Sequence, residues 1–270
     1  MPWEPAVSFL IPARNRPEEL RATLASCLAQ SCDAWEAVVV DDHSNEADLQ
    51  ALVRDFHDNR LRYDRLADDE RGVSAARNRA IALARSPRLL TLDSDDLNNP
   101  HRAARCLELL DPNKLQLVYT RVRLFSESQP AGRPKPLLQP FSAALLEMFN
   151  FITNPGTAFT RKAFEAAGEG FRPSLSLAED YDLYLRMARA GVTIRAIDEE
   201  HVSYRKHPKA TTSRRQAELH EAVMTVRQLN GVKPFPIEAI RSHALPELAR
   251  NLLDNPDQRA LWQDDRWSNP

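Results

Sequence analysis

Glycine is scarce in this chain, with 7 residues of 270 against 19 prolines. Turns must therefore rely on proline, Asn and Asp more than on glycine. Cysteine is scarcer still: Cys27, Cys32 and Cys106 make three. An odd, sparse set implies no disulfide framework and suits a reducing compartment. Cys27 and Cys32 lack CxxC spacing, and no histidine cluster completes a zinc site. Net charge is small too, since 36 Lys and Arg face 38 Asp and Glu to leave −2. No global basic field is available to wrap nucleic acid, which argues against a dedicated DNA or RNA binder. No apolar run approaches the ~20 residues a membrane helix needs. The opening MPWEPAVSFL lacks the charged n-region and long apolar h-region of a signal peptide. These absences lead us to expect a cytoplasmic protein with no transmembrane anchor, meeting the inner membrane surface only as a peripheral protein.

What is present suits an ordinary globular chain, 43% hydrophobic and 27% charged. Its length allows a sizeable core in one large domain or two small ones. Short apolar runs alternate with helical patterns. Residues 6–11 (AVSFLI) read as a strand ended by Pro12, and 17–30 as a helix with Leu20, Leu24 and Leu28 on one face. The β-branched run at 37–40 (AVVV) reads as a strand buried on both faces. Helices are expected at 47–57, 74–84 and 101–110, with strands at 61–63, 89–92 and 117–122. This β–α order predicts an α/β fold with a mostly parallel sheet, whose ligands gather at the carboxyl ends of the strands. The stretch 126–140 carries four prolines and one glycine and reads as a loop or flap. Beyond it we expect helices at 141–149, 161–167 and 179–190, and strands at 156–160, 193–197 and 201–204. The remainder reads as helical, at 214–229 and 237–253, with a polar tail at 254–270.

Carboxylates follow two of the apolar strands. The run at 37–40 leads into Asp41 and Asp42, and 89–92 leads into Asp93-Ser94-Asp95-Asp96. One such acid is usually a turn or cap residue. Two clusters at one sheet edge repel each other and call for a shared cation or a donor-rich ligand. In extended backbone Asp93 and Asp95 would point the same way, toward one divalent ion. Hard oxygen donors suit Mg²⁺ or Mn²⁺, with phosphate oxygens completing the shell. Glu179 and Asp180 open a helix, where acids suit the helix dipole and where an ionised general base is also at home. Arg77 and Asn78 begin a helix after Glu70-Arg71-Gly72-Val73. That guanidinium could meet a phosphate or a neighbouring carboxylate, Asp68 or Glu70. His207 stands in the basic loop YRKHPKATTS, a solvated turn or a cover for a diphosphate.

Together these stretches resemble a family 2 glycosyltransferase of GT-A fold. The opening VSFLIPARNRPEELRATLASCLAQ resembles that family's VSxIxPxYN block, and WEAVVVDDHSNEADLQ its VVDDGS block. RGVSAARNRAIALARSPRLLTLDSDD resembles the block running from ARN to LDSDD. NPGTAFTRKAFEAAGEGFRPSLSLAEDYDLYLRMARAG resembles the acceptor-side block ending in EDYDL, and YRKHPKATTS a downstream basic element. DDHSNEADLQ followed by FHDNRLRY is also similar to the bacterial spore-coat polysaccharide type of this family. The blocks cover roughly residues 6–213 in family order.

The resemblance implies residues 1–213 as a GT-A domain, with a nucleotide-sugar half at about 1–122 and an acceptor half at about 123–213. Residues 214–270 would be a C-terminal helical extension, packed on the core, pairing in a homodimer or touching a membrane-bound acceptor. Pro12, Ala13 and Arg14 would line the nucleotide base pocket, with Asp42 and Asp41 on the ring. Arg77, Asp93 and Ser94 would lie along the nucleotide. Asp95 and His207 would hold Mn²⁺ or Mg²⁺, and Asp180 would be the base with Glu179 beside it. The implied activity is inverting transfer from a nucleotide-sugar, a UDP-sugar, to a saccharide or lipid-linked acceptor. Arg14 departs from the family's usual aromatic, and His43 from its usual glycine. A sugar nucleotidyltransferase is a rival class, but IPARNRPEE lacks the glycine-rich triphosphate cradle. A non-catalytic nucleotide-sugar scaffold is a second rival, countered by the intact acid motifs.

Overall fold

A computed structural model describes residues 4–135, 138–207 and 215–232. A nine-stranded sheet forms the middle layer, in the order β3-β2-β1-β4-β8-β6-β9-β5, with β7 paired to β6. Its N-terminal part is β1 (Val7–Ala13), β2 (Trp35–Asp41), β3 (Leu61–Arg65) and β4 (Arg88–Thr91), all parallel. The connecting helices are α1 (Pro17–Leu28), α2 (Leu49–Arg54) and α3 (Gly72–Leu83). Next come the two-residue β5 (Leu97–Asn98), α4 (Arg102–Leu109), β6 (Gln116–Ser126), β7 (Gln129–Pro134) and α5 (Ala143–Met148). Then β8 (Thr157–Thr160), α6 (Arg161–Ala166), α7 (Glu179–Arg189), β9 (Thr193–Arg205) and α8 (Gln216–Leu229) follow. β6 and β9 run with β1 to β4, while β5, β7 and β8 run against them. The sheet is therefore mixed, and β6 carries it unbroken across residue 122.

The alternation along each strand fills two cores. Val38 and Val40 of β2 join Leu10 of β1 and the apolar faces of α3, α5, α6, α7 and α8. Ala37 and Val39 point the other way, to Phe9, Ile11 and the faces of α1, α2 and α4. A strand with both faces covered must be apolar throughout, which is why AVVV stands here.

Three expectations about elements need correction. β1 does not stop at Pro12. The Leu92 N–H reaches the Leu10 carbonyl toward β4, and the Asp42 N–H reaches the Ala13 carbonyl toward β2. Pro12 thus turns its missing N–H toward β4, whose pairing has ended at Leu10 and Thr91. Residues 126–140 are not wholly loop, since β7 pairs with β6 as a hairpin. Pro130 and Pro134 are tolerated because β7 has β6 alone as partner. Gly132 is required there: its φ is +64°, and a Cβ would sit 2.6 Å from the Leu124 carbonyl oxygen. Finally, 193–197 and 201–204 form one strand. The acids between them pair with arginines, Asp198 with Arg121, Glu199 with Arg105 at 2.8 Å and Glu200 with Arg123 at 2.8 Å. A register shift near Arg121 absorbs the extra residues.

The expected helix at 237–253, the tail at 254–270 and most of the basic loop after His207 lie outside the described residues. No helix among the described residues is long and apolar enough to cross a membrane.

Candidate active site

The carboxyl ends of β1, β2, β4 and β9 and the start of α7 converge. After β1, Asn15 at φ +49° turns the chain. Its side-chain carbonyl accepts the N–H of Asn45 at 2.8 Å, and its own N–H donates to Ser44 Oγ at 2.9 Å. The β1 and β2 loops are thereby fixed to each other. Arg16 precedes Pro17, which bars it from helical geometry, and it leaves α1 toward Asp95.

The two acids after β2 diverge, as neighbours on a strand must. Asp41 is fully buried. It accepts from the Ser44 N–H at 2.8 Å, Tyr63 Oη at 2.9 Å and Arg65 Nη1 at 3.1 Å. Its carboxylate is committed to the β2–β3 edge. Asp42 accepts the Gly72 N–H at 3.0 Å and keeps its other oxygen 3.5 Å from Arg14 Nη1. Arg14 itself is exposed, and Ala13 is buried with its carbonyl bound to the Asp42 N–H. His43 adopts φ +57°, the left-handed conformation that explains why glycine is usual at that position of the motif.

The acids after β4 are not extended. The chain turns at once, closed by a 3.1 Å hydrogen bond from the Asp96 N–H to the Asp93 carbonyl, with Ser94 buried in the turn. Asp93 and Asp95 therefore do not point together. Asp93 accepts from Arg77 Nη2 at 2.8 Å. Asp95 Oδ2 receives both Arg16 Nη1 and His207 Nε2, the latter at 3.1 Å. Asp96 Oδ1 accepts the Arg205 N–H at 2.8 Å, and its buried Oδ2 has no hydrogen-bond partner among the described residues. Burial, then the charges of Asp93 and Asp95, push its carboxyl well above the usual range.

Arg77 is the centre of the arrangement. It lies in the second turn of α3, is 4% exposed, and stands 5.4 Å from the Phe171 ring. One arm reaches Asp93 and the other Glu179, not Asp68 or Glu70 as the sequence allowed. Burial lowers its pKa, but the charges of Asp93 and Glu179 outweigh this and leave it raised. Glu179 is thereby docked against the acids of β4, and the partly exposed Asp180 follows it. Asp180 Oδ1 accepts the Tyr181 N–H at 2.7 Å. Burial and the Glu179 charge push Asp180 up to about 7, against the pull of Arg77. Just before them Ala178 sits at φ +57°. A left-handed alanine costs about 1–2 kcal/mol, and such strain gathers at functional sites.

Sequence reasoning missed Arg16 as part of this cluster, and read Asp96 and Arg205 as members of an acid run and a basic loop without their pairing to each other. Arg16 stood inside the opening motif, and Arg205 two residues before His207, but their partners are distant in the chain. It also missed Arg102, whose buried guanidinium donates to the carbonyls of Thr91, Pro155 and Thr157 and to Asn98 Oδ1. Burial lowers its pKa to about 10. It ties the end of β4 to the turn before β8.

Among the described residues no group of three His, Cys, Asp or Glu side chains could hold a metal. Asp95 with His207 supplies one carboxylate and one imidazole. Those donors fit a divalent cation when diphosphate oxygens complete its shell.

Comparison with known proteins accords with this geometry. The profile of Glycosyl transferase family 2 matches residues 8–167. The succinoglycan biosynthesis protein ExoO of Rhizobium meliloti is 33% identical over 192 residues, which cover 66% of this chain and 54% of ExoO. The chondroitin synthase of Escherichia coli is 30% identical over 193 residues, 69% of this chain and 27% of that protein. The chain thus spans about half of one relative and about a quarter of the other. The crystal structure of S. aureus TarS 1-349 in complex with UDP-GlcNAc has a TM-score of 0.66 at 18% identity, covering 97% of this chain and 72% of that one. That likeness shows the fold. With the family profile spanning more than half of its residues, this chain belongs to glycosyl transferase family 2 and has a GT-A-like α/β architecture.

Proposed function

We propose that the protein transfers a sugar from a UDP-sugar to a hydroxyl of a saccharide or lipid-linked saccharide, with inversion, in bacterial polysaccharide or glycoconjugate assembly. The names of its relatives in succinoglycan and chondroitin synthesis support the polymer class. The TarS complex with UDP-GlcNAc supports the donor class. The observation that carries the reading is the Arg77 bridge. It sets a carboxyl of raised pKa, Asp180, beside the acids at the carboxyl edge of the sheet.

In this reading the base pocket lies between Pro12, Ala13 and Arg14 on one side and Asp42 on the other. Asp93 and Ser94 follow the ribose, and Arg77 orients Asp93. Asp95 and His207 would hold Mn²⁺ or Mg²⁺, which when bound supplies charge neutralisation for the leaving diphosphate. Arg16, which donates to the same Asp95 carboxylate, adds a positive charge at this edge, where that negative charge develops. Asp180 takes the proton of the acceptor hydroxyl as its oxygen attacks the anomeric carbon. The bond from that carbon to the diphosphate oxygen breaks on the opposite face, and UDP leaves with the electron pair. A single displacement inverts the stereocentre and needs no covalent enzyme intermediate. A base with a pKa near neutrality is matched to this proton transfer.

Asp180→Asn tests the reading. Turnover should fall by about two to four powers of ten, while calorimetric UDP binding is retained. An Asn variant with full turnover would remove Asp180 as the base.

A further inference from the structure

Three side chains of α3 grip the segment that leads to Asp180. Ser74, Arg77 and Asn78 share one helix face through their spacing. Ser74 Oγ donates to the Leu175 carbonyl at 2.9 Å. Asn78 Nδ2 donates to the Phe171 carbonyl at 2.6 Å, and Asn78 Oδ1 accepts the Phe171 N–H at 2.9 Å. Arg77 then takes Glu179. Ser74 and Asn78 bond backbone atoms alone, so they fix the path of the chain whatever side chains it carries. The amide of Asn78 satisfies both backbone groups of one residue, which fixes that residue in position and orientation. Gly170 permits the approach: its φ is +70°, and a Cβ would lie 2.8 Å from both Asn78 Oδ1 and Phe164 Cζ. Phe171 is fully buried under Arg77. Within the segment, Arg172 Nη1 reaches Asp182 Oδ1 at 2.5 Å and closes it onto α7.

We infer that Asn78 is a positioning residue for the transfer reaction: through Phe171 it sets where the start of α7 delivers Asp180 relative to the acids after β4. The inference rests on Asp180 as the base. Asn78 has no contact with Asp42, Asp93 or Asp95 among its bonds, so its loss should leave nucleotide binding alone. A displacement of about 1 Å in a reacting group costs about a hundredfold in rate. Losing the two bonds at Phe171 should therefore act on turnover.

The test uses the full chain with three variants. Asn78→Leu removes both bonds at similar size, Asn78→Asp keeps the acceptor alone, and Gly170→Ala pushes the segment off Asn78 from the other side. We expect kcat to fall about a hundredfold in Asn78→Leu and less in Asn78→Asp, with calorimetric UDP affinity unchanged. The acid limb of the pH–rate profile should also move to lower pH, because a displaced Asp180 gains water. The groups facing Asp180, namely Glu179, Arg77, Asp93 and Tyr184, are intact in every variant. A merely structural role would lower UDP affinity together with kcat and leave the limb where it was, and that result overturns the inference. So does an unchanged kcat. If Asn78→Leu does not fold, Gly170→Ala carries the same expectations and Asn78→Asp the smaller fall in kcat. Asp180→Asn, assayed alongside, separates the two ideas. Its full activity sinks the base assignment, whereas an inactive Asp180→Asn beside a fully active Asn78→Leu sinks the positioning role alone.

Discussion

Replacing Asp180 by Asn should make the protein more stable, by a gain that begins above about pH 4 and is complete near pH 7. The carboxyl is pushed from its ordinary 3.8 to about 7, first by burial and then by Glu179. An acid with a raised folded pKa holds its proton in the native state after the unfolded chain has released it. Stability is therefore unaffected below about pH 4, declines as pH rises between the two values, and stays lowered above about pH 7. A tenfold change in acidity corresponds to about 1.4 kcal/mol, so the gap between the two values sets a ceiling of about 4 kcal/mol. The side chain is partly exposed, and water screening reduces this to about 1–2 kcal/mol. Asn removes the charge yet keeps the oxygen that accepts the Tyr181 N–H. Wild type and variant should then unfold alike at pH 4 in urea. At pH 8 the variant should gain that 1–2 kcal/mol, or about 2–4 °C in Tm for each kcal/mol. A gain of equal size at pH 4 and pH 8, or a loss at pH 8, refutes the electrostatic account. Such a trade of stability for a poised carboxylate is what a base in a buried site requires.

Other predictions follow from neighbouring groups. Arg77→Met leaves Asp93 and Glu179 facing each other without their cation and should cost about 3–5 kcal/mol in urea denaturation; a cost below about 1 kcal/mol would show that the bridge contributes little. Glu36 is fully buried: burial raises its pKa, but the Arg85 N–H, Ser8 and the guanidiniums of Arg62 and Arg85 outweigh this and leave it lowered. Its stabilisation is present above the ordinary 4.5 and is lost as pH falls through the lower folded value. Glu36→Gln should cost about 1.5–3 kcal/mol at pH 7 and progressively less in acid, so a pH-independent cost would contradict this. Asp95→Ala should weaken UDP binding in Mn²⁺ or Mg²⁺ and abolish its sensitivity to EDTA in calorimetric titration, with GDP and dTDP as controls; unaltered sensitivity to EDTA would remove Asp95 from the metal.

The elements that could be read from the sequence are those whose signal is local. AVVV announces a strand covered on both faces, and the order of strands and helices through β4 follows from periodicity. The start of α7 is legible because acids gather in its first turn and basic residues in its last. Local patterning fails where pairing is decided across the chain. DEE at 198–200 reads as an interruption until Arg121, Arg105 and Arg123 lie opposite it. Pro130 and Pro134 read as loop until β6 supplies the single partner an edge strand needs.

The site divides in the same way. That carboxylates cluster at one sheet edge could be inferred from strand ends alone. Which carboxylate does what could not, because that depends on turns and long-range cations. Asp41 and Asp42 are chemically identical neighbours, yet the strand's alternation spends one on Tyr63 and Arg65 and turns the other to Arg14 and the Gly72 N–H. Asp93 and Asp95 would have addressed one ion in an extended chain. The turn closed by the Asp96 N–H instead gives one to Arg77 and the other to Arg16 and His207. Arg77 had acids close by in the chain, Asp68 and Glu70, and chose Glu179, 102 positions away. The choice follows from burial. In a dry interior a guanidinium must have partners that reach it there, and the turn after β4 and the start of α7 bring Asp93 and Glu179 to Arg77. A charge that must be buried to be useful thus draws its partners from the packing of the fold, which is why the acids beside Arg77 in sequence are not the ones beside it in space.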